Sequence, residues 1–360
     1  MHVVIIAASS YPIAEPFAGG LESLTWHLAR GLRARGVDVT VFAAPGSDPG
    51  LDVHELAVSP LRLSDAARAD VAMVPEAWLR NHHAYLQVML SLQGRRDVDI
   101  VHNNSLHHLP VAMASMLTAP VLTTLHTPPT PWLEPAVAIA TAAPQEADRP
   151  SFAAVSRHTA RAWSHVTTAR VVHNGVDADR WTPGPGGHDL AWVGRIVPEK
   201  APHLALAMAR ASGRRLRLAG PVGDRPYFES AIRPWLGPEA EYVGHLATPG
   251  LVTLFGSSAV TLVTPDWDEP YGLVAAESLS CGTPVVALDR GGLGEFVTPE
   301  VGVLLPAASD AAATAAAIDR AAGLDRERCR AHAVTHCSVG RMVEDYLAVY
   351  AGLLPQQDAA

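Results

Sequence analysis

The chain alternates short β-branched runs with longer amphipathic stretches, and it does so twice, on either side of a Pro/Gly-rich break. In the first half, Val3–Ala7, Val37–Ala43, Asp99–His102, Val121–Leu125, Ala153–Val155 and Val171–His173 read as strands. In the second, Ala191–Val193, Leu216–Ala219, Tyr242–Val243, Ala259–Val263, Pro284–Leu288 and Val303–Leu305 do. Apolar strands separated by helices need a parallel sheet covered on both faces, so the pattern predicts an α/β chain of two doubly wound, Rossmann-like domains. The first helix is the clearest: Leu21, Leu24, Leu28 and Leu32 line one face and Gly36 stops it. The segment Trp181–Gly187, with prolines at 183 and 185 and glycines at 184, 186 and 187, reads as an interdomain linker. Two such domains would face each other across a cleft, with ligands at the carboxyl ends of the strands.

Composition narrows the ligand. A chain of 360 residues has room for two cores, and 48% hydrophobic with 18% charged residues is globular rather than disordered. A formal net charge of −9 argues against nucleic acid and for a small molecule. The N-terminus has no basic leader region, and no apolar run approaches the roughly 18 residues of a membrane span. No cluster of Lys/Arg marks a first-half helix as a membrane dock, which disfavours a lipid ligand while leaving peripheral membrane contact open. Three cysteines, Cys281, Cys329 and Cys337, give no disulfide framework and point to a reducing cytoplasm.

Lys200 is the only lysine; every other one of the 27 basic Lys+Arg residues is arginine. It closes the run Gly194-Arg195-Ile196-Val197-Pro198-Glu199-Lys200, directly after a strand. A compact ammonium on a flexible stem there suits a phosphate oxygen. The densest chemistry follows in Asp268-Glu269-Pro270-Tyr271-Gly272-Leu273-Val274-Ala275-Ala276-Glu277. Pro270 is expected at the first helical position, which would turn backbone N–H groups toward an anion. Glu269 and Glu277 would stand about 12 Å apart along such a helix, too far to share one reacting atom but suited to two hydroxyl-bearing rings on either side of a diphosphate. The helix should end near Cys281-Gly282.

These residues, taken in order, resemble the family-4 retaining glycosyltransferases of the GT-B fold. The likeness rests on Gly19-Gly20 in the first strand-to-helix loop, His126 at a strand end, Asn174-Gly175-Val176-Asp177, Gly194-Arg195 with Glu199-Lys200, Glu269 with Glu277, and Gly291-Gly292-Leu293-Gly294-Glu295. It covers nearly the whole chain. The resemblance implies an acceptor domain of residues 1–170 joined by a returning helix within 341–360, and a donor domain of residues 171–340.

The resemblance also implies roles. Arg195 and Lys200 would hold the diphosphate of a nucleotide-sugar donor and stabilise the departing negative charge, so that no metal or other cofactor is expected. Glu277 would bind the ribose, while Glu269 with the amides of Tyr271, Gly272, Leu273 and Val274 would hold the sugar. Gly19 and Gly20 would let the backbone approach the phosphate, and His126 would reach the sugar or the acceptor hydroxyl. The base is placed near Val243, His245 and Leu246 by order along the chain. Arg195, Lys200, Glu269 and His126 form the expected catalytic set. UDP is the default nucleotide. A sugar-nucleotide 2-epimerase of the same fold and a non-catalytic nucleotide-sugar-binding protein are the alternatives.

Other groupings invite sharper readings. Asp266-Trp267-Asp268 imitates a metal-binding tripeptide but runs straight into the Glu269 segment and reads as loop. Cys329, His332, His336 and Cys337 lack standard zinc spacing. His102, His107 and His108 are expected near the cleft, each more simply an incidental histidine than an acceptor contact. Glu295 reads as a structural cap. Acceptor recognition is assigned to Tyr11–Ala18, Asn81–Tyr85, Asn103–Leu109 and Thr127–Leu133, loops rich in aromatic, proline and histidine residues.

Overall fold

The structure, a computed structural model, describes residues 1–58, 60–146 and 149–354. The first sheet contains β1 (His2–Ile6), β2 (Asp38–Ala43), β3 (Val53–Glu55), β4 (Ile100–Asn103), β5 (Val121–Leu125), β6 (Ser151–Ala154) and β7 (Arg170–Val171). Their order is β3-β2-β1-β4-β5-β6-β7, every pair parallel. The second contains β8 (Leu190–Val193), β9 (Leu216–Ala219), β10 (Ala240–Tyr242), β11 (Val260–Val263), β12 (Val285–Leu288) and β13 (Gly302–Leu305). Its order is β10-β9-β8-β11-β12-β13, again parallel.

In each sheet the chain winds one way from the first strand and then the other way from its second neighbour. The reversal lies between β1 and β4 in one domain and between β8 and β11 in the other. Loops leaving the carboxyl ends at such a reversal diverge and leave a crevice. The loops carrying Gly19-Gly20, Gly194–Lys200 and Glu269 are three of these, which is why residues distant in sequence share one cleft.

Each run read as a strand overlaps an observed one, with ends shifted by a residue or two. The addition is β3, an edge strand of three residues that follows Asp52 in a left-handed turn at φ 48°. Val171, assigned to the second domain from sequence, pairs with Ala154 in the first sheet.

The last helix, Val339–Leu353, returns to the first domain. Met342, Val343, Tyr346, Val349 and Tyr350 join Val3, Ile5, Leu24, Leu28 and Leu32 in one buried cluster. At roughly 1.5–3 kcal/mol for each fully buried large apolar side chain, this seam is a major link between the chain's end and its first sheet. His102, expected near the cleft, lies under the same helix: Nδ1 is 2.7 Å from Tyr350 Oη and Nε2 is 2.8 Å from Thr124 Oγ1, in a fully buried network.

Candidate active site

A cavity of about 420 Å³ opens between the two domains. From the first domain it takes Gly19, Gly20 and His126; from the second, Gly194, Arg195, Lys200, His245 and Leu246. The segment after β11 adds Glu269, Tyr271, Gly272, Leu273, Val274 and Glu277. Of the residues expected to bind ligand, Val243 alone stays outside. It packs into the second domain's core, and its N–H donates to Leu218 at 2.9 Å, continuing the ladder beyond β10.

Lys200 ends a single 3-10 turn, Pro198–Lys200, that leaves β8. Ala201 follows at φ 45°, a left-handed conformation that costs a non-glycine residue about 1–3 kcal/mol unless its surroundings enforce it. They do so here: Thr264 Oγ1 donates to Ala201 O at 3.0 Å and lies 3.1 Å from the Trp192 indole nitrogen, which donates to it. Asp266 N–H holds Glu199 O at 2.8 Å. The turn thus delivers the ammonium to Glu269 Oε2 at 2.5 Å, and the Trp267 indole N–H meets the same oxygen at 3.0 Å.

The helix starts later than expected, at Leu273, and runs to Ser280. Gly272 breaks it from Pro270: its φ is +100°, and a Cβ there would stand 2.4 Å from Leu293 Cδ2. Glu269 therefore sits in the loop before the helix and Glu277 in its second turn, so the helical rise does not set their separation. Gly291, at φ +70°, passes so close to the loop that a Cβ would lie 2.1 Å from Glu269 O, while Gly292 N–H donates to that carbonyl at 2.7 Å. The Gly-Gly pair thereby fixes the Glu269 backbone. Glu277 is buried, and burial raises its carboxyl to about 8. The expected stop holds, with Gly282 at φ +74° just beyond Ser280.

On the opposite wall, His126 Nε2 lies 2.8 Å from the buried Asn104 Oδ1, to which the ring donates. Burial lowers this imidazole to about 3, so it is neutral and its other nitrogen carries a lone pair. Gly20 opens the first helix and comes close to the other domain: a Cβ would stand 2.9 Å from Leu273 Cδ1. A further bridge lies beside it, where Glu15 Oε1 takes the Thr248 hydroxyl at 2.6 Å and pairs with Arg180 at 2.5 Å. Tyr11, Phe17, Ala18, Leu106 and Thr127, from the loops assigned to acceptor recognition, line the cavity. His107 and His108 are not among its lining residues.

Among the cavity residues given no ligand role from sequence, two buried polar ones stand out. Glu22, in the first turn of the first helix, is buried; burial raises its carboxyl while Arg195 draws it down. Asn174 is also buried, and its Oδ1 has no hydrogen-bond partner among the described residues. Glu22 carries no signal beyond an ordinary first-turn acid, whereas Asn174 was visible as the polar head of the N-G-V-D segment.

The remaining groupings resolve structurally. Asp266 pairs with Arg290 at 3.1 Å and Asp268 with His158 at 3.5 Å. Cys329 and Cys337 are buried in the second core, and His332 bonds Phe296 O at 2.7 Å. Glu295 is a cap: it accepts the N–H groups of Arg157 at 2.9 Å and His158 at 2.8 Å, with His173 Nε2 at 3.0 Å.

The sequence matches two family models end to end, Glycosyltransferase Family 4 over residues 18–180 and Glycosyl transferases group 1 over residues 182–333. A D-inositol 3-phosphate glycosyltransferase of Rhodococcus erythropolis is 30% identical across 84% of this chain and 79% of its own. A glycogen synthase of Mycobacterium tuberculosis is 28% identical across 88% and 85%. Among solved structures, AviGT4, a glycosyltransferase involved in avilamycin A biosynthesis, superposes with a TM-score of 0.72 at 24% identity over 98% of this chain and 97% of its own. Anabaena Alr3699/HepE, solved with UDP and glucose, gives 0.74 at 18% over 98% and 99%.

Proposed function

Because this chain belongs to glycosyltransferase family 4, with GT-B architecture, we propose that it moves a sugar from a nucleoside-diphosphate donor, UDP-linked by preference, to an acceptor hydroxyl with retention of anomeric configuration and without a metal. The observation that carries this reading is the gathering of Arg195, Lys200, Glu269 and Glu277 in one cavity, across from His126 and Gly20. Arg195 and Lys200 supply two cations where a diphosphate needs them, and the Leu273 helix N-terminus adds partial positive charge. Glu277 takes the ribose hydroxyls, and Glu269 with the Tyr271–Val274 backbone takes the sugar. UDP is preferred by analogy with the Anabaena protein.

In the reaction the bond between the anomeric carbon and the leaving phosphate oxygen breaks, and the acceptor oxygen bonds to that carbon from the same face. The acceptor proton passes to the departing phosphate oxygen. Arg195 and Lys200 stabilise the charge that builds on that phosphate, and neutral His126 accepts a hydrogen bond from a sugar or acceptor hydroxyl.

A thermal-shift panel of UDP, GDP, ADP and dTDP in excess chelator tests the donor site, since a ligand at about 100 times its Kd adds roughly 2.7 kcal/mol. Stabilisation by one diphosphate without metal supports the reading; no response, or one only with Mg²⁺, refutes it. Anomeric NMR of the first-formed product tests the stereochemistry, and inversion would refute retention. A 2-epimer formed without acceptor would mark the epimerase alternative.

A further inference from the structure

We propose that His82, His107 and His108 form a site for one divalent transition-metal ion of the zinc class, built into the acceptor-side domain and separate from the donor cavity. His82 projects from the helix Glu76–Leu92, while His107 and His108 follow β4. One ring nitrogen from each falls within 4.8 Å of the others, a grouping made by two distant stretches of chain. Nitrogens around a tetrahedral ion with metal–nitrogen bonds near 2.0–2.1 Å stand roughly 3.3 Å apart, so the rings need to close by at most about 1.5 Å, and one of the His107 and His108 rings, stacked at 4.4 Å, turns so that both lone pairs meet the ion. His82 Nδ1 is sealed from solvent and has no hydrogen-bond partner among the described residues. His107 Nδ1 holds only a long contact from the Leu109 N–H at 3.2 Å, which coordination would replace.

Aromatic rings wall the grouping. Tyr85 stacks on His107 at 4.3 Å, Trp132 on His108 at 5.4 Å and Trp78 on His82 at 5.2 Å, so each imidazole has an aromatic wall behind it. The grouping contains no carboxylate, which selects zinc, copper or nickel over magnesium or calcium. An ion there would lock the helix to the loop whose Leu106 lines the cavity.

The test is calorimetric titration of Zn²⁺ into chelator-stripped, desalted protein, with Co²⁺ absorption as a second readout. One equivalent should bind, with an intense tetrahedral Co²⁺ band. His82→Ala and His108→Ala should each weaken binding about tenfold or more, while His332→Ala, outside this grouping, should not. The absence of stoichiometric binding, or equal binding by the His82→Ala/His108→Ala double variant with unchanged circular dichroism, would overturn the site. UDP stabilisation in chelator is read separately, so either result leaves the donor assignment to its own test.

Discussion

Lys200 Nζ lies 2.5 Å from Glu269 Oε2, so the chain's only lysine is already ion-paired before any ligand arrives. A diphosphate entering this site does not meet Lys200 as a free cation; it competes for an ion pair braced by Trp267. Lys200→Ala should lower kcat and kcat/KM together, because the charge on the leaving phosphate is greatest in the transition state. A loss of about 10²–10³ is expected for removing one such group. Steady-state kinetics with donor varied at saturating acceptor measures both, and unchanged values would remove Lys200 from the mechanism.

Glu277 gives a pH signature. Burial raises its carboxyl from 4.5 to about 8, so the folded protein binds a proton there that the unfolded chain releases. Its contribution to stability is fully present below pH 4.5 and is lost as pH rises through about 8. Urea unfolding at pH 6 and pH 9 should show wild type losing more stability than Glu277→Gln, which cannot ionise. Glu277→Ala should weaken nucleotide binding by about 2 kcal/mol through lost ribose hydrogen bonds.

Glu295 behaves in the opposite sense. Burial pushes its carboxyl up, but His173 and the N–H groups of Arg157 and His158 outweigh this and hold it at about 2. Its contribution is present above 4.5 and fades as pH falls through about 2. Glu295→Ala should cost about 2 kcal/mol near neutral pH, read as a lower urea midpoint. The difference from wild type should shrink in acid.

Tyr350→Phe tests the returning helix. The substitution leaves His102 Nδ1 buried without its 2.7 Å partner, which should cost about 1–3 kcal/mol. Truncation before Met342 should destabilise far more, because it strips the apolar seam from the first sheet. Equal urea midpoints for the truncated and full chains would contradict that packing.

The strands were legible because buried parallel strands are largely apolar, and β3 was not because Val53-His54-Glu55 is too short and too polar to show a pattern. The late helix start escaped because Pro270 is a proper first-turn residue, while the departure at Gly272 depends on contact with Leu293, distant in sequence. Arg195, Lys200, Glu269 and Glu277 could be named from motif order. Their pairing could not, since the Lys200–Glu269 contact is set by the packing of two loops. Glu22 looked like any dipole-favoured acid until the fold set it in the cavity with Arg195.

The central claim, a diphosphate held by Arg195 and Lys200 without metal, is tested most directly by titrating UDP calorimetrically, in excess chelator, into wild type and the Arg195→Ala/Lys200→Ala variant. The account predicts one site in wild type and at least a tenfold loss in the variant, a difference of about 1.4 kcal/mol or more. Equal affinity in the two proteins, or wild-type binding only when Mg²⁺ is restored, would contradict it.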